Sequence, residues 1–419
     1  MMSHTRRDFL KGAASASTLL SLGPVVPQFL VRSAMASAPE HGDRDTVLVV
    51  VQLSGGNDGL NTVVPYEDDE YGRNRPTLRL PSRELHRIDS SLGFHPRMGA
   101  FMKLYKEGYL SVVQGVGYAN SDRSHDRAMR IWHTADPDEP GTQTGWLGRA
   151  IDSVWDPDET YTPAVFVGPI TQPFGLNAES GIVPSIRSLQ NLVARQMAGA
   201  SAGRSDWKRA DEPSDHDRAN PMLLFLQQGM VRACGDSERI KAAAETAAST
   251  AEYPSFGLAE SLRMTAQLIR ADVGVRIVFV ELGGGGIGGF DNHANQLGNH
   301  CALLHQLAES VAAFVYDLKR DHLLDRVLLM TFSEFGRTVR ENGRRGTGHG
   351  AAGPVFLAGG RLRGGLIDTH PSLTDLDNGA LKFHTDFRQV YATVLDRWLG
   401  YDSRITLGKT FAPLDVLIS

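Results

Sequence analysis

Two cysteines in 419 residues are too few for a disulfide scaffold. Beyond the N-terminal region no stretch approaches the roughly 18 unbroken apolar residues of a membrane-spanning helix. Basic residues are not in surplus: 43 Lys and Arg stand against 48 Asp and Glu, a formal charge of -5, so the electrostatic footprint of a nucleic-acid binder is missing. There is no internal repeat and no linker that would divide the chain into independent halves. What remains, 41% hydrophobic and 22% charged, is the composition of an ordinary globular protein with a large core.

The N-terminal 38 residues differ from the rest. Arg6-Arg7-Asp8-Phe9-Leu10-Lys11 precedes an apolar stretch broken by Pro24 and Pro27, and Ala34-Met35-Ala36 supplies a small-residue cleavage site. This is the pattern of a twin-arginine signal peptide spanning residues 1–36. Its removal takes away four basic side chains and one acidic, leaving about -8. The expectation is a periplasmic or secreted protein, handled by the twin-arginine export machinery, with no integral membrane segment after cleavage. Clients of that route cross the membrane folded, often with a metal or cofactor in place.

Residues 37–419 read as one α/β domain. Thr46–Leu53 is a continuous β-branched run stopped by Ser54-Gly55-Gly56-Asn57-Asp58-Gly59, which predicts a strand buried on both faces. Similar runs recur at 110–116, 164–167, 275–282, 327–332 and 354–358. Helical periodicity separates several of them, over 95–106 (Met98, Phe101, Met102, Tyr105) and 303–318 (Leu304, Leu307, Val311, Phe314, Val315, Leu318). Strands alternating with such helices imply a doubly wound, parallel sheet. Near 195–255 the composition turns to Ala, Ser, Arg, Asp and Glu, a polar insertion. Cys301 sits in a helical pattern and reads as a buried free thiol or as the partner of Cys234 in a single disulfide.

In an open α/β sheet the carboxyl ends of the strands converge on a crevice, so polar residues just after each apolar run are the first candidates. Asn57-Asp58, Ser121-Asp122-Arg123-Ser124-His125, Asp291-Asn292-His293, and Ser333-Glu334 with His349 all qualify. Together they offer the nitrogen and oxygen ligands that zinc or a hard divalent ion accepts. Ser124, at the start of a helical segment, sits where unpaired N–H groups stabilise an anion. Each has a plainer reading: Asp58 as a turn former, Ser124 as a helix cap with Ser121 the alternative hydroxyl, His125 as a packing residue, Asp291 and His293 as a polar loop, Glu334 as an ion-pair partner of Arg337. His349, between glycines, has no apolar face to serve. The run 283–289 satisfies Gly-x-Gly-x-x-Gly only as any polyglycine does, and no helix with an apolar stripe opens directly on it.

The motifs Leu53-Ser54-Gly55-Gly56-Asn57-Asp58-Gly59-Leu60-Asn61, Arg123-Ser124-His125, Gly289-Phe290-Asp291-Asn292-His293, Ser333-Glu334-Phe335-Gly336-Arg337-Thr338, Gly346-Thr347-Gly348-His349-Gly350 and Asp386–Tyr391 resemble the DUF1501 family of exported bacterial proteins. That family is placed among alkaline phosphatase-like and sulfatase-like proteins. The resemblance implies a three-layer sandwich with a mostly parallel sheet and helices on both faces. It implies Asp58, Asp291, His293, Glu334 and His349 as ligands of a divalent metal ion (zinc, calcium, magnesium or manganese), with Ser124 and His125 catalytic. The chain departs from the superfamily pattern: Ser333-Glu334 lacks the histidine of Asp-His, and neither Cys-x-Pro-x-Arg nor Ser-x-Pro-x-Arg occurs, so the formylglycine nucleophile of standard sulfatases is absent. The expected activity is hydrolysis of a small-molecule or glycan phosphate or sulfate ester, through a serine or a metal-bound water. The alternative is a non-catalytic metal- or glycan-binding envelope protein that keeps the fold.

Overall fold

The computed structural model describes residues 45–139, 141–154, 163–168, 172–181, 183–186, 250–283 and 289–418. The signal segment, Cys234 and all but the last few residues of the polar insertion lie outside the described residues.

Nine strands form the principal sheet: β1 (Val47–Leu53), β2 (Leu110–Gly117), β3 (Ala164–Val167), β4 (Ser185–Ile186), β5 (Ile277–Leu282), β6 (Val327–Phe332), β7 (Gly353–Gly359), β8 (Gly365–Ile367) and β9 (Thr385–Asp386). Their order is β8-β2-β7-β6-β1-β5-β3-β4, with β9 also along β2. Every pairing is parallel except those of β7, which runs antiparallel to both β2 and β6. β1 lies between β5 and β6, with Leu53 opposite Leu282 and Gln52 opposite Phe332, so the three strands end together. All seven β1 side chains are buried, as a strand covered on both faces requires.

Alternate residues of β1 enter two separate cores. Val47, Val49, Val51 and Leu53 pack with α1 (Gly99–Lys106), α4 (Gly257–Arg270) and the long α5 (Gln296–Arg320). Leu48 and Val50 face α2 (His125–Thr134), α3 (Trp146–Asp152) and α6 (Phe387–Ala392). The result is the three-layer α/β sandwich with a mostly parallel sheet that the sequence predicts. The helix expected from His95 begins at Gly99, with Met98 as its N-cap. Asp386-Phe387-Arg388-Gln389-Val390-Tyr391 serves the scaffold: Asp386 and Gln389 form a capping box on α6, and Tyr391 stacks on Trp146 with ring centroids 3.9 Å apart. Cys301 is a free thiol, half-buried. Among the described residues no helix is long and apolar enough to cross a membrane.

Candidate metal centre

Sheet direction explains how distant segments meet. β1, β5 and β6 end at one edge; β2 runs the same way, so α2 starts there with Ser124 and His125; and β7 runs back, so His349 arrives just before its first residue. At that edge the chain turns sharply after β1. Gly55 (φ +112°) and Gly56 (φ +78°) adopt backbone that side chains resist. A Cβ on Gly55 would also stand 2.5 Å from the Asp291 nitrogen, and one on Gly56 would overlap the Phe335 ring. The turn wraps the end of β6: Gly55 N–H donates to Glu334 Oε1 at 2.8 Å, Asn57 N–H donates to Ser333 Oγ at 2.9 Å, and Ser333 in turn donates to the Leu53 carbonyl at 2.7 Å.

Three imidazoles converge on Asp291, and each is oriented through its Nδ1. His125 Nδ1 meets Glu334 Oε1 at 2.8 Å, His293 Nδ1 the Thr347 carbonyl at 2.9 Å, and His349 Nδ1 the Arg123 carbonyl at 2.6 Å. An acceptor at Nδ1 fixes the proton there, so in the neutral ring each Nε2 carries a lone pair. Those lone pairs face inward. His293 Nε2 lies 2.9 Å from His349 Nε2 and 2.9 Å from Asp291 Oδ1; His349 Nε2 is 3.2 Å from the same oxygen. His125 Nε2 is 3.4 Å from Asp291 Oδ2 and buried without a hydrogen-bond partner.

Electrostatics follow the same layout. Burial pushes the Asp291 carboxyl up, but the buried Arg337 guanidinium, 2.7 Å from Oδ1, outweighs it and holds the group at about 2. The hydrogen bond to Glu334 raises the His125 pKa, whereas burial lowers that of His349. Phe335 stacks on His349 at 4.6 Å and closes one side.

A neutral pair of nitrogen lone pairs 2.9 Å apart beside a carboxylate repels unless a proton or a cation comes between. Ligands at ~2.0–2.1 Å around a tetrahedral ion stand about 3.3 Å from one another; the separations of 2.9 to 3.4 Å around Asp291 lie close to that value, and the donor atoms of His125, Asp291 and His349 all lie within 4.8 Å of one another. Each imidazole also donates its other N–H to a carbonyl or carboxylate, the support that metal-ligating histidines use. The donor set fits a divalent ion.

Asp291, His293 and His349, three of the expected ligands, thus stand together, and His125, expected to be catalytic, stands beside them. Glu334, 2% exposed, points its oxygens at His125, Gly55 and Ser333 and supports a ring of the cluster. Its expected partner Arg337 pairs with Asp291 instead, because the guanidinium is anchored to the carbonyls of Gly55, Gly56 and Phe290 on that side. Asp58 turns elsewhere. Its carboxylate receives Arg75 Nη1 at 2.6 Å, Arg75 Nη2 at 3.0 Å and the Gln296 amide, all buried. Ser124 is the N-cap of α2, exposed, with its hydroxyl capping nothing; Ser121 lies half-buried in the preceding loop.

Sequence reasoning missed Arg75, the C-cap of a short helix (Asp69–Asn74) that carries no motif, and the Ser54–Glu281 pair at the ends of β1 and β5. Ser54 donates to Glu281 Oε1 at 2.5 Å, and burial pushes the Glu281 carboxyl up. The rule that polar residues follow apolar strands would have found Ser54.

No curated protein sequence matches the chain. Among solved structures it is similar to the C-terminal periplasmic domain of EcEptC from Escherichia coli in complex with Zn (12% identity, 75% of this chain and 74% of that one, TM-score 0.37). It is also similar to the PsFucS1 sulfatase from Pseudoalteromonas sp. (10%, 92% and 72%, 0.38) and to a protein in the alkaline phosphatase superfamily from Vibrio parahaemolyticus (11%, 89% and 72%, 0.37). At these scores no residue role passes from them to this chain. The family model described as "Protein of unknown function (DUF1501)" matches residues 112–409, more than half of the sequence, and the chain belongs to the DUF1501 family.

Proposed function

We propose that this protein is an exported, metal-dependent hydrolase of phosphate or sulfate esters whose divalent ion is held by Asp291 and by Nε2 of His125, His293 and His349. The observation that carries the ion is the inward convergence of three nitrogen lone pairs on one carboxylate, with every Nδ1 proton already committed. Ester chemistry is supported by the motif resemblance and by an exposed, uncommitted Ser124 hydroxyl at the start of the ten-residue α2. A divalent ion there, with a coordination position beyond the protein's donors, would polarise an ester oxygen and lower the pKa of a bound hydroxyl or water. The chain's own residues supply the rest. The first-turn N–H groups of α2 offer donors to an anionic ester, Glu334 keeps the His125 ring in its tautomer, and Arg337 neutralises Asp291.

Export rests on the Arg6-Arg7 signal pattern. The ligand identity and the substrate are tested together: elemental analysis of the purified protein, then assay on aryl phosphate, phosphodiester and aryl sulfate. Activity lost on chelation and restored by one metal supports the hydrolase. Bound metal with no turnover on any ester supports the second reading, a non-catalytic metal- or glycan-binding envelope protein. That alternative is favoured by one observation, the capture of the Asp58 carboxylate by Arg75.

A further inference from the structure

We infer that the centre takes a single divalent ion and that the Arg75 guanidinium is a built-in cation that closes Asp58 to a second. The inference rests on the proposed reading of the Asp291 cluster as an ion site and concerns how far that site extends. Arg75 is fully buried. Its five N–H groups meet five acceptors: Asp58 Oδ2 at 2.6 Å and Asn61 Oδ1 at 3.3 Å from Nη1, Asp58 Oδ1 at 3.0 Å and the Thr338 carbonyl at 3.0 Å from Nη2, and the Val339 carbonyl at 2.7 Å from Nε. No donor is left over, and a guanidinium cannot shed its charge by deprotonation.

The remaining groups around Asp58 also donate. The Gln296 amide nitrogen points at Oδ2, its orientation fixed because Thr347 Oγ1 donates to the Gln296 amide oxygen at 2.7 Å. His300 spends Nε2 on Asn57 Oδ1 at 3.1 Å. Among the hydrogen bonds around Asp58 no nitrogen lone pair is directed at its carboxylate, in contrast with the three directed at Asp291. A divalent ion at Asp58 would have to displace a bidentate, fully hydrogen-bonded guanidinium and lie beside its buried positive charge.

The test counts ions. Full-length protein is stripped with chelator, reloaded with excess Co2+, freed of unbound metal and measured by elemental analysis and native mass spectrometry. One Co2+ per chain is expected. Asp58→Asn is expected to keep one ion and an unchanged Co2+ visible absorption band, and His349→Ala to lose the ion. Because Asp58→Asn leaves a buried guanidinium unpaired, Asp58→Asn with Arg75→Gln, which removes both charges, is measured beside it. The wild-type count is decisive even if neither variant folds. Two ions in the wild type, or loss of the single ion in a folded Asp58 variant, overturns the inference while leaving the ion site standing. No ion at all overturns the ion site and this inference with it.

Discussion

Two aspartates, Asp58 and Asp291, follow the ends of neighbouring strands, each bonded to a buried arginine and each held at about pKa 2 against the pull of burial. They differ in what else surrounds them. The Asp58 side chain is 2% exposed and meets only hydrogen-bond donors; that of Asp291 is 44% exposed and meets three imidazole nitrogens whose protons point away. A carboxylate flanked by donors is a closed structural pair, whereas one flanked by lone pairs is an incomplete coordination shell. The identity of the residue does not separate the two cases. The tautomers of its neighbours do, and those are set by backbone carbonyls and a glutamate one layer out.

The largest effect should come from opening the closed pair. Arg75→Ala leaves a buried carboxylate without a counter-charge, and breaking such a pair costs about 3–5 kcal/mol. The urea midpoint of the variant should fall accordingly, and pairing it with Asp58→Asn should recover part of the loss. With Asp58→Asn measured alone as well, losses that simply add in the double variant would mean that Asp58 and Arg75 are not coupled, and the contrast with Asp291 would collapse.

The same closed region should govern acid lability. Burial lowers the pKa of His95 to about 3 and of His300 to about 4, both close enough to Asp58 to feel its charge, and lowers that of His133, bonded to Gln52 Oε1, to about 3. The folded values lie below the ordinary 6.5, so the unfolded chain takes up protons first. Stability is full above pH 6.5 and declines as pH falls from there toward 3 to 4, by up to about 1.4 kcal/mol per pH unit for each group. Asp58 adds its own loss lower down, between its ordinary 3.8 and about 2. Unfolding measured from pH 7.5 to 4.5 should show the first decline, and His133→Gln should make it shallower. A flat profile would show that these rings are charged or exposed.

At the open aspartate the expected effect is on affinity rather than folding. Glu334→Gln keeps the shape but weakens the hold on the His125 Nδ1 proton, and losing such a support typically lowers metal affinity 10- to 100-fold. Competition with a chromogenic chelator measures it. An unchanged affinity would remove His125 from the site.

The contrast also marks what a sequence can disclose. The strands at 164–167 and 327–332 were legible to the residue because burial on both faces writes an unbroken apolar run. β7 was legible as a strand but not as an antiparallel one, since its core residues carry the same signal in either direction, and yet that reversal is what brings His349 to the edge. Asp291, His293 and His349 could be picked out as ligand types after glycines. Asp58 could not be told from them, because its partner Arg75 stands 17 positions away, at the end of a six-residue helix too short to show periodicity and without a motif. Arg337 is one of two partners the sequence offers Glu334, the other being a metal ion, whereas its backbone anchors direct the guanidinium to Asp291, 46 positions away. Local spacing carries no information about contacts made through a turn elsewhere in the chain.

Ser124 offers the smallest effect on stability and a sharp test of function. A serine N-cap that bonds the first-turn N–H groups contributes about 0.5–2 kcal/mol, but here the Ser124 hydroxyl makes no such bond, and it is Asp122 that receives the Ser124 N–H at 2.7 Å. Ser124→Ala should therefore leave the unfolding midpoint within about 0.5 kcal/mol of the parent and leave Co2+ binding unchanged. If the hydroxyl is the nucleophile, ester turnover in the same variant should drop at least 100-fold. A turnover that survives, with stability and metal unchanged, would assign the attack to water and leave Ser124 as the residue that starts the helix; a fall in stability of more than 1 kcal/mol would mean that the side chain caps α2 in solution and that its freedom to meet a substrate was misjudged.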